Sequence, residues 1–284
     1  MAEKLPMIHR STFLLPPETT ATVTGTLPTT HALIILNQCL PKFSPLLWEH
    51  AKVRVCADGG ANRLFDNMPE LFHDEHDDVS VIRQRYKPDV IKGDMDSIRP
   101  DVLNFYRNLG TEIVDNSSDQ DTTDLHKCIT YVLDLMSDDE KSNLCILVAG
   151  ALGGRFDHEM GNVNTLCRFS TTRIVLLSND CLIQLLPSTR HHEINVLSSV
   201  EGPHCGLIPI GTPSGSSTTT GLEWNLGKYL FHIINHYIYS SNLKNTVLPF
   251  QNTENTLWTP LDPFYFEFSS IYIFNHSIQK KLNF

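Results

Sequence analysis

No stretch of this sequence approaches the roughly 18 consecutive apolar residues that carry a helix across a bilayer. Basic residues are outnumbered: 22 Lys and Arg stand against 32 Asp and Glu, a formal charge of -10. That balance argues against a nucleic-acid backbone as the main partner. It leaves a phosphate ligand open, because a divalent cation can supply the missing positive charge. The seven cysteines include no CxxC pair and no regular spacing, which points to a reduced, intracellular protein without a zinc site. Cys56 in "VRVCADGG" and Cys145 in "NLCILVAG" sit in apolar runs, where a buried thiol is expected. Two phosphate-binding signatures are missing as well. No GxGxxG occurs, and "GLEWNLGKY" has the wrong spacing for a Walker A loop, with no Ser or Thr after Lys228. The first 30 residues lack the continuous apolar core of a secretory signal. Their Ser, Thr and Pro content predicts a flexible leader over 1–30, with a mitochondrial presequence as the alternative.

What is present is a regular alternation. With 284 residues the chain suits one large domain or two modest ones. From "HALIILN" onward, short apolar runs ("KVRVCADGG", "PDVIKGD", "TEIVDNSSDQD", "NLCILVAGALGG") alternate with helix-like segments ("KFSPLLWEHA", "ANRLFDNM", "IRPDVLNFYRNLG", "TTDLHKCITYVLDLM", "RFDHEMGNVNTLCRF"). This rhythm predicts a parallel, Rossmann-like α/β sheet domain over residues 31–180. In its fourth helix the apolar stripe is Leu125, Cys128, Ile129 and Leu133. After 180 the texture turns to short strands broken by Gly, Pro, Ser and Thr, the pattern of a small β domain over 181–226. "PSGSSTTTG" reads either as a linker or as an exposed strand. Residues 227–284 change again, to Phe, Tyr, Ile, Asn and Lys, whose codons are AT-rich. "GKY" is what a splice-donor sequence encodes when read through, so this tail reads as translated intron, leaving the β domain incomplete.

Polar residues collect where strands end, which is where open α/β sheets bind ligands. The second strand delivers Asp58 with "GGAN", and the third delivers Asp94 and Asp96. The fourth delivers Asp119, Gln120, Asp121 and Asp124, and the fifth "GGRFDH" with Arg155 and Asp157. A single Asp after a strand is commonly a helix cap; four consecutive strands ending this way are not explained by capping. If the backbone stays extended through "GDMDS", Asp94 and Asp96 point the same way and repel each other unless a cation lies between them. The same stretch also suits a plain turn, with Ser97 as a cap and Pro100 in the first turn of the next helix. The glycine turns "ADGGANRL" and "GALGGRFD" offer backbone N–H groups to phosphate. Together these features suggest a Mg²⁺–nucleotide site outside the P-loop class. "HDEHDD" at 73–78 reads as a solvated run, and His191 and His192 as exposed strand residues. Trp224 suits a core role or ligand stacking equally.

The motifs "ADGGANRL", "GDMDSIRP", "DQDTTDLHKC", "GGRFDH…NTL", "CGLIPIG" and "TTTGLEWNL", in this order, resemble those of the thiamine pyrophosphokinase family over about residues 32–226. The resemblance implies an α/β domain followed by a β-sandwich and a homodimer with active sites between subunits; a cytoplasmic location is the expectation from the cysteine usage. It implies transfer of a pyrophosphoryl group from ATP to thiamine, giving thiamine diphosphate and AMP. Carried over residue by residue, it implies Asp94, Asp96 and Asp121 as Mg²⁺ ligands, with Arg155 neutralising the transferred charge. Asp58, Gly59, Gly60, Asn62, Arg63, Gln120, Thr123 and Asp157 would line the ATP and phosphate site, and Trp224 would stack on thiamine. Asp121 or Asp119 would be candidates to accept the alcohol proton. Neither a membrane nor nucleic acid figures among the implied partners. The ending departs from the family's pattern, so the alternative is a catalytically impaired nucleotide- or thiamine-binding isoform.

Overall fold

The structure, a computed structural model, describes residues 6–19, 29–72, 78–187, 189–197, 199–202, 204–210, 214–221, 229–231, 247–252 and 269–275. The chain divides into two units, one formed by Phe13–Asn179 and the other by Met1–Thr12 with Asp180–Phe284. The run "HDEHDD" and Trp224 fall largely or wholly outside the described residues.

Counting β1 as Met7–Arg10, the first unit holds six parallel strands: β2 (Thr30–Ile35), β3 (Ala51–Ala57), β4 (Val90–Gly93), β5 (Glu112–Asp115), β6 (Leu144–Ala149) and β7 (Arg173–Leu177). Their pairing gives the spatial order β5-β4-β3-β2-β6-β7. The order reverses between β2 and β6, so the carboxyl edge of the sheet has the switch point at which doubly wound folds place ligands. The middle strands are buried on both faces, and for that reason "HALII" and "LCILVA" are almost unbroken apolar runs. Leu33, Ile34, Cys56, Ile91, Cys145, Leu147, Val148 and Val175 are completely enclosed.

Seven helices are described in this unit: α1 (Ser44–His50), α2 (Gly60–Glu70), α3 (Val79–Arg85), α4 (Pro100–Asn108), α5 (Asp124–Leu135), α6 (Asp138–Ser142) and α7 (Phe156–Arg168). Sequence reading anticipates five of them. The remaining two, α3 and α6, are short and owe their starts to Asp78 and Ser137 side-chain caps. The α4 helix begins at Pro100 with Arg99 as its cap residue, not Ser97, whose hydroxyl donates to Asp96 at 2.7 Å. In α5 the buried stripe is Leu125, Cys128, Ile129 and Val132, the i, i+3, i+4, i+7 pattern of a core-facing helix. Val132 replaces the expected Leu133, and Lys127 is buried with them.

The second unit is built from β1, β8 (Cys181–Pro187), β9 (His192–Asn195), β10 (His204–Ile210), β11 (Ser214–Thr219), β12 (Tyr229–Phe231), β13 (Val247–Asn252) and β14 (Ser269–Asn275). One sheet runs β1-β9-β13-β11-β12; in the other set of pairings β14 lies between β10 and β8. "SGSSTT" is a strand, not a linker. Residues 227–284 contribute β12, β13 and β14. The leader expected to be flexible is ordered over Met7–Leu14: β1 pairs in parallel with β9, and Phe13 and Leu14 are buried. A four-residue strand and two apolar side chains suffice for this, and the surrounding Ser, Thr and Pro conceal them in a composition count.

His192 is also buried, at 1% exposure, contrary to its reading as a surface residue. Its Nδ1 lies 3.0 Å from His9 Nε2, its Nε2 2.8 Å from the Pro187 carbonyl, and His9 Nδ1 3.2 Å from Gln184 Oε1. Rings on β1 and β9 are thereby joined to β8 by polar contacts that a buried imidazole needs.

Candidate active site

Three strand or helix termini converge at the carboxyl edge of the parallel sheet. β3 ends at Ala57, and the next residue, Asp58, turns with φ +40, a conformation that L residues seldom adopt. β4 ends at Gly93 and hands on to Asp94. β3 and β4 approach so closely there that a Cβ on Gly93 would stand 2.6 Å from the Asp58 Cβ. Asp124 opens α5, whose cap residue Thr123 accepts the His126 N–H at 3.3 Å. An acidic residue in the first helical turn is favoured by the helix dipole.

Carboxylate oxygens of Asp58, Asp94 and Asp124 lie within 4.8 Å of one another. At that separation two unit charges repel by about 3 kcal/mol in an effective dielectric of about 20. Asp94 Oδ1 is buried with no hydrogen-bond partner among the described residues. Burial pushes the Asp58 carboxyl up to about 6; the Ser97 and Ile98 N–H groups oppose this, and the Asp124 charge adds to it. Burial likewise raises Asp124, reinforced by Asp94 and opposed by Lys127. An orphaned carboxylate oxygen beside two carboxyls that burial makes harder to ionise is an arrangement that could hold a cation. An all-oxygen donor set suits a hard divalent ion such as Mg²⁺.

The geometry differs from the carried-over metal set. Met95 has φ +62, so the backbone is no longer extended after Gly93 and the alternation that would align Asp94 with Asp96 is broken. Asp96 is exposed at the border of the cluster, held below the usual carboxylate range chiefly by the Ser97 hydroxyl. Asp121 is exposed in the turn before α5, its N–H donating to Asp119 Oδ1 at 3.1 Å, and is not in the cluster. Asp124 is the third carboxylate that lies beside Asp58 and Asp94. Its signal was in "DQDTTD", where the last Asp alone falls on the first helical turn behind a Thr cap.

The other expected residues fall into two groups. Asp58 and Asn62 brace the "DMDSIR" loop. Asp58 accepts from Ser97 N at 2.9 Å and Ile98 N at 3.0 Å, while Asn62 donates to Ser97 O at 2.9 Å and accepts from Arg99 N at 3.0 Å. Gly59 caps α2 and Gly60 opens it, and Arg63 Nε donates to Asn37 Oδ1 at 3.0 Å. Gln120 donates to Ser117 O at 2.9 Å and is otherwise exposed. Arg155 and Asp157 form an exposed ion pair at the start of α7, Nε to Oδ1 3.1 Å. Sequence reading missed Lys127, whose side chain is 4% exposed and whose Nζ is 3.8 Å from Asp124 Oδ1.

Residues 44–177 match the profile described as the catalytic domain of thiamin pyrophosphokinase, and residues 191–251 that of its vitamin B1 binding domain. Thiamine pyrophosphokinase 1 of Arabidopsis thaliana is 58% identical over 253 residues, 89% of this chain and 92% of the relative. Thiamine pyrophosphokinase 1 of Oryza sativa subsp. japonica is 61% identical over 223 residues, 78% of this chain and 84% of the relative. The crystal structure of yeast thiamin pyrophosphokinase superposes with a TM-score of 0.70 over 98% of this chain and 94% of its own, at 21% identity. That of Candida albicans gives 0.67 over 87% and 90%, at 23% identity; at such identities the likeness concerns the fold. The second profile runs past residue 226, where the resemblance read from motifs stops, and the alternative of an isoform impaired by its ending finds no support. Both profiles in chain order, and relatives more than half identical across most of the length, place the assignment beyond the fold: the chain belongs to the thiamin pyrophosphokinase family.

Proposed function

We propose that this chain transfers the pyrophosphoryl group of ATP to the hydroxyethyl oxygen of thiamine, releasing AMP. The observation that carries the reading is the carboxylate cluster Asp58, Asp94 and Asp124 at the sheet edge of a chain of this family. In the reaction the alcohol oxygen bonds to the β-phosphorus as the bond from that phosphorus to the α–β bridging oxygen breaks. AMP leaves with the bridging oxygen, and the alcohol proton is lost to a base or to water. Such a transfer needs alignment and charge neutralisation more than covalent help.

Mg²⁺ would be held by Asp58, Asp94 and Asp124, with Asp96 at the border, and when bound it supplies charge neutralisation at phosphate oxygens. Asp58 does two things at once in this reading: it faces the cation and pins the 94–98 loop through the Ser97 and Ile98 N–H groups. Asn62 holds the same loop from α2, and Gly59 and Gly60 let the helix start close to β2. Arg155, with Gln120 and Thr123, serves the phosphates and nucleotide; Arg63 and Asp157 line the same side. Homodimerisation, with Trp224 stacking on thiamine in the partner's site, and residence in the cytoplasm complete the reading; family resemblance supports the first two and cysteine usage the last.

The test is formation of AMP from ATP by the purified full chain, followed chromatographically with thiamine and Mg²⁺ each omitted in turn. AMP that appears only when both are present supports the reading. Hydrolysis independent of thiamine, or no AMP at all, rejects it.

A further inference from the structure

Lys127 is a largely buried lysine beside the carboxylate cluster. It lies three residues after Asp124 on α5, so both side chains leave the same face of the helix. Its side chain is 4% exposed, and its Nζ is 3.8 Å from Asp124 Oδ1, beyond ordinary hydrogen-bond length. An ammonium has three donors to place, and one carboxylate at this distance leaves them poorly used. Lys92, the other buried lysine of the region, is different: its Nζ bonds to Asn116 Oδ1 and lies 5.3 Å from the centre of the Tyr131 ring. Asp124 is the nearest carboxylate, with Asp96 and Asp119 acting at longer range; a largely buried charge without a close hydrogen-bond acceptor is unfavourable for folding alone. A partner from outside the chain, rich in acceptor oxygens, would make the arrangement favourable.

Resting on the ATP reading above, we propose that Lys127 is a catalytic residue that donates hydrogen bonds to the pyrophosphoryl group being transferred. Asp124 links the two: its carboxylate belongs to the cluster with Asp58 and Asp94, and its Oδ1 is the oxygen nearest the ammonium. Lys127 meets non-bridging oxygens of the β- or γ-phosphate, where negative charge is held as the α–β bond breaks. The class of ligand recognised is therefore a diphosphate or longer chain; a nucleoside monophosphate lacks the oxygens that Lys127 addresses.

The experiment is calorimetric titration of the full chain, in excess Mg²⁺, with α,β-methylene ATP and separately with AMP. For Lys127→Met we expect the methylene analogue to bind about tenfold or more weakly, the scale of one charge-assisted hydrogen bond. AMP should stay within about twofold of the wild type, and Lys127→Arg should recover part of the loss. Equal weakening of both ligands, or none, overturns the proposal: the first is what a purely structural lysine gives. A measurement on the unsubstituted protein guards against a variant that fails to fold. With ¹⁵N-lysine labelling, the Lys127 side-chain resonance should move on adding Mg²⁺ with inorganic pyrophosphate and stay in place with AMP; no movement with pyrophosphate overturns it. If the wild type forms AMP in the assay above yet Lys127→Met binds the analogue normally, only the lysine's role falls. If the wild type binds no ATP analogue, both fall.

Discussion

Ser97 donates its backbone N–H to Asp58 Oδ2 at 2.9 Å, joining the end of β3 to the loop that follows β4 across 39 residues of sequence. The same carboxylate takes the Ile98 N–H at 3.0 Å. Asp58→Ala removes a proposed cation ligand and leaves the Ser97 and Ile98 N–H groups without their acceptor. Turnover should fall by about a hundredfold or more, and folding stability by about 1–3 kcal/mol. Amide hydrogen exchange should accelerate at Ser97 and Ile98; exchange unchanged at both would show that the loop does not depend on Asp58.

Asp124 and Asp121 stand three residues apart and have different surroundings, which makes them a matched pair. Asp124→Asn should shift the Mg²⁺ dependence of turnover and lower its ceiling, on the order of a hundredfold together. Asp121→Asn should stay within about threefold, as for a surface carboxylate. Mg²⁺ titration of the two variants side by side decides between the clustered set and the one carried over from sequence.

His31, on β2, is packed against the rings of Phe13 and His50 and is 8% exposed. Burial lowers it to about 3, with the His50 and Arg173 charges adding to the effect. The unfolded chain takes up this proton near pH 6.5, while the native state refuses it until about pH 3. Stability from this site is therefore complete above about pH 6.5 and declines as pH falls toward 3, by about 4–5 kcal/mol in all. Urea midpoints measured at pH 7 and pH 5 should separate in wild type and converge in His31→Leu.

A Cβ on Gly60 would stand 2.1 Å from the Ile35 carbonyl oxygen, a backbone atom that cannot step aside. Gly60→Ala should cost about 1–3 kcal/mol or more and force the first turn of α2 away from β2. Gly161, inside α7, has no heavy atom within 4 Å of its would-be Cβ. Gly161→Ala should stabilise by up to about 1 kcal/mol. Thermal unfolding of the pair distinguishes steric closeness from helix propensity.

The parallel sheet was legible because strands buried on both faces spell themselves out as apolar runs, and because Gly and Asp mark their carboxyl ends. Helices α3 and α6 were not, being one or two turns long and set by a cap more than by periodicity. The site was legible as an edge and not as a set of contacts. "GDMD" suggests an extended pair, but a single left-handed residue, Met95, breaks the extended backbone between the two carboxylates. Asp124 becomes a neighbour of Asp58 only through strand order, which no local pattern encodes. Lys127 hid in the opposite way. A charged residue in an amphipathic helix is normally assigned to water, and here it lies among Leu125, Cys128 and Ile129.

The parallel pairing of β1 with β9 has a consequence for synthesis. His9 and its ring partner His192 are 183 positions apart, with the whole parallel sheet between them. At about 5–20 residues per second the ribosome needs on the order of ten to forty seconds to cover that distance. During this time β1 has no edge to join, while the α/β unit has all of its own strands in hand by Leu177. The α/β unit can thus reach its fold while the early segment is still waiting for β9.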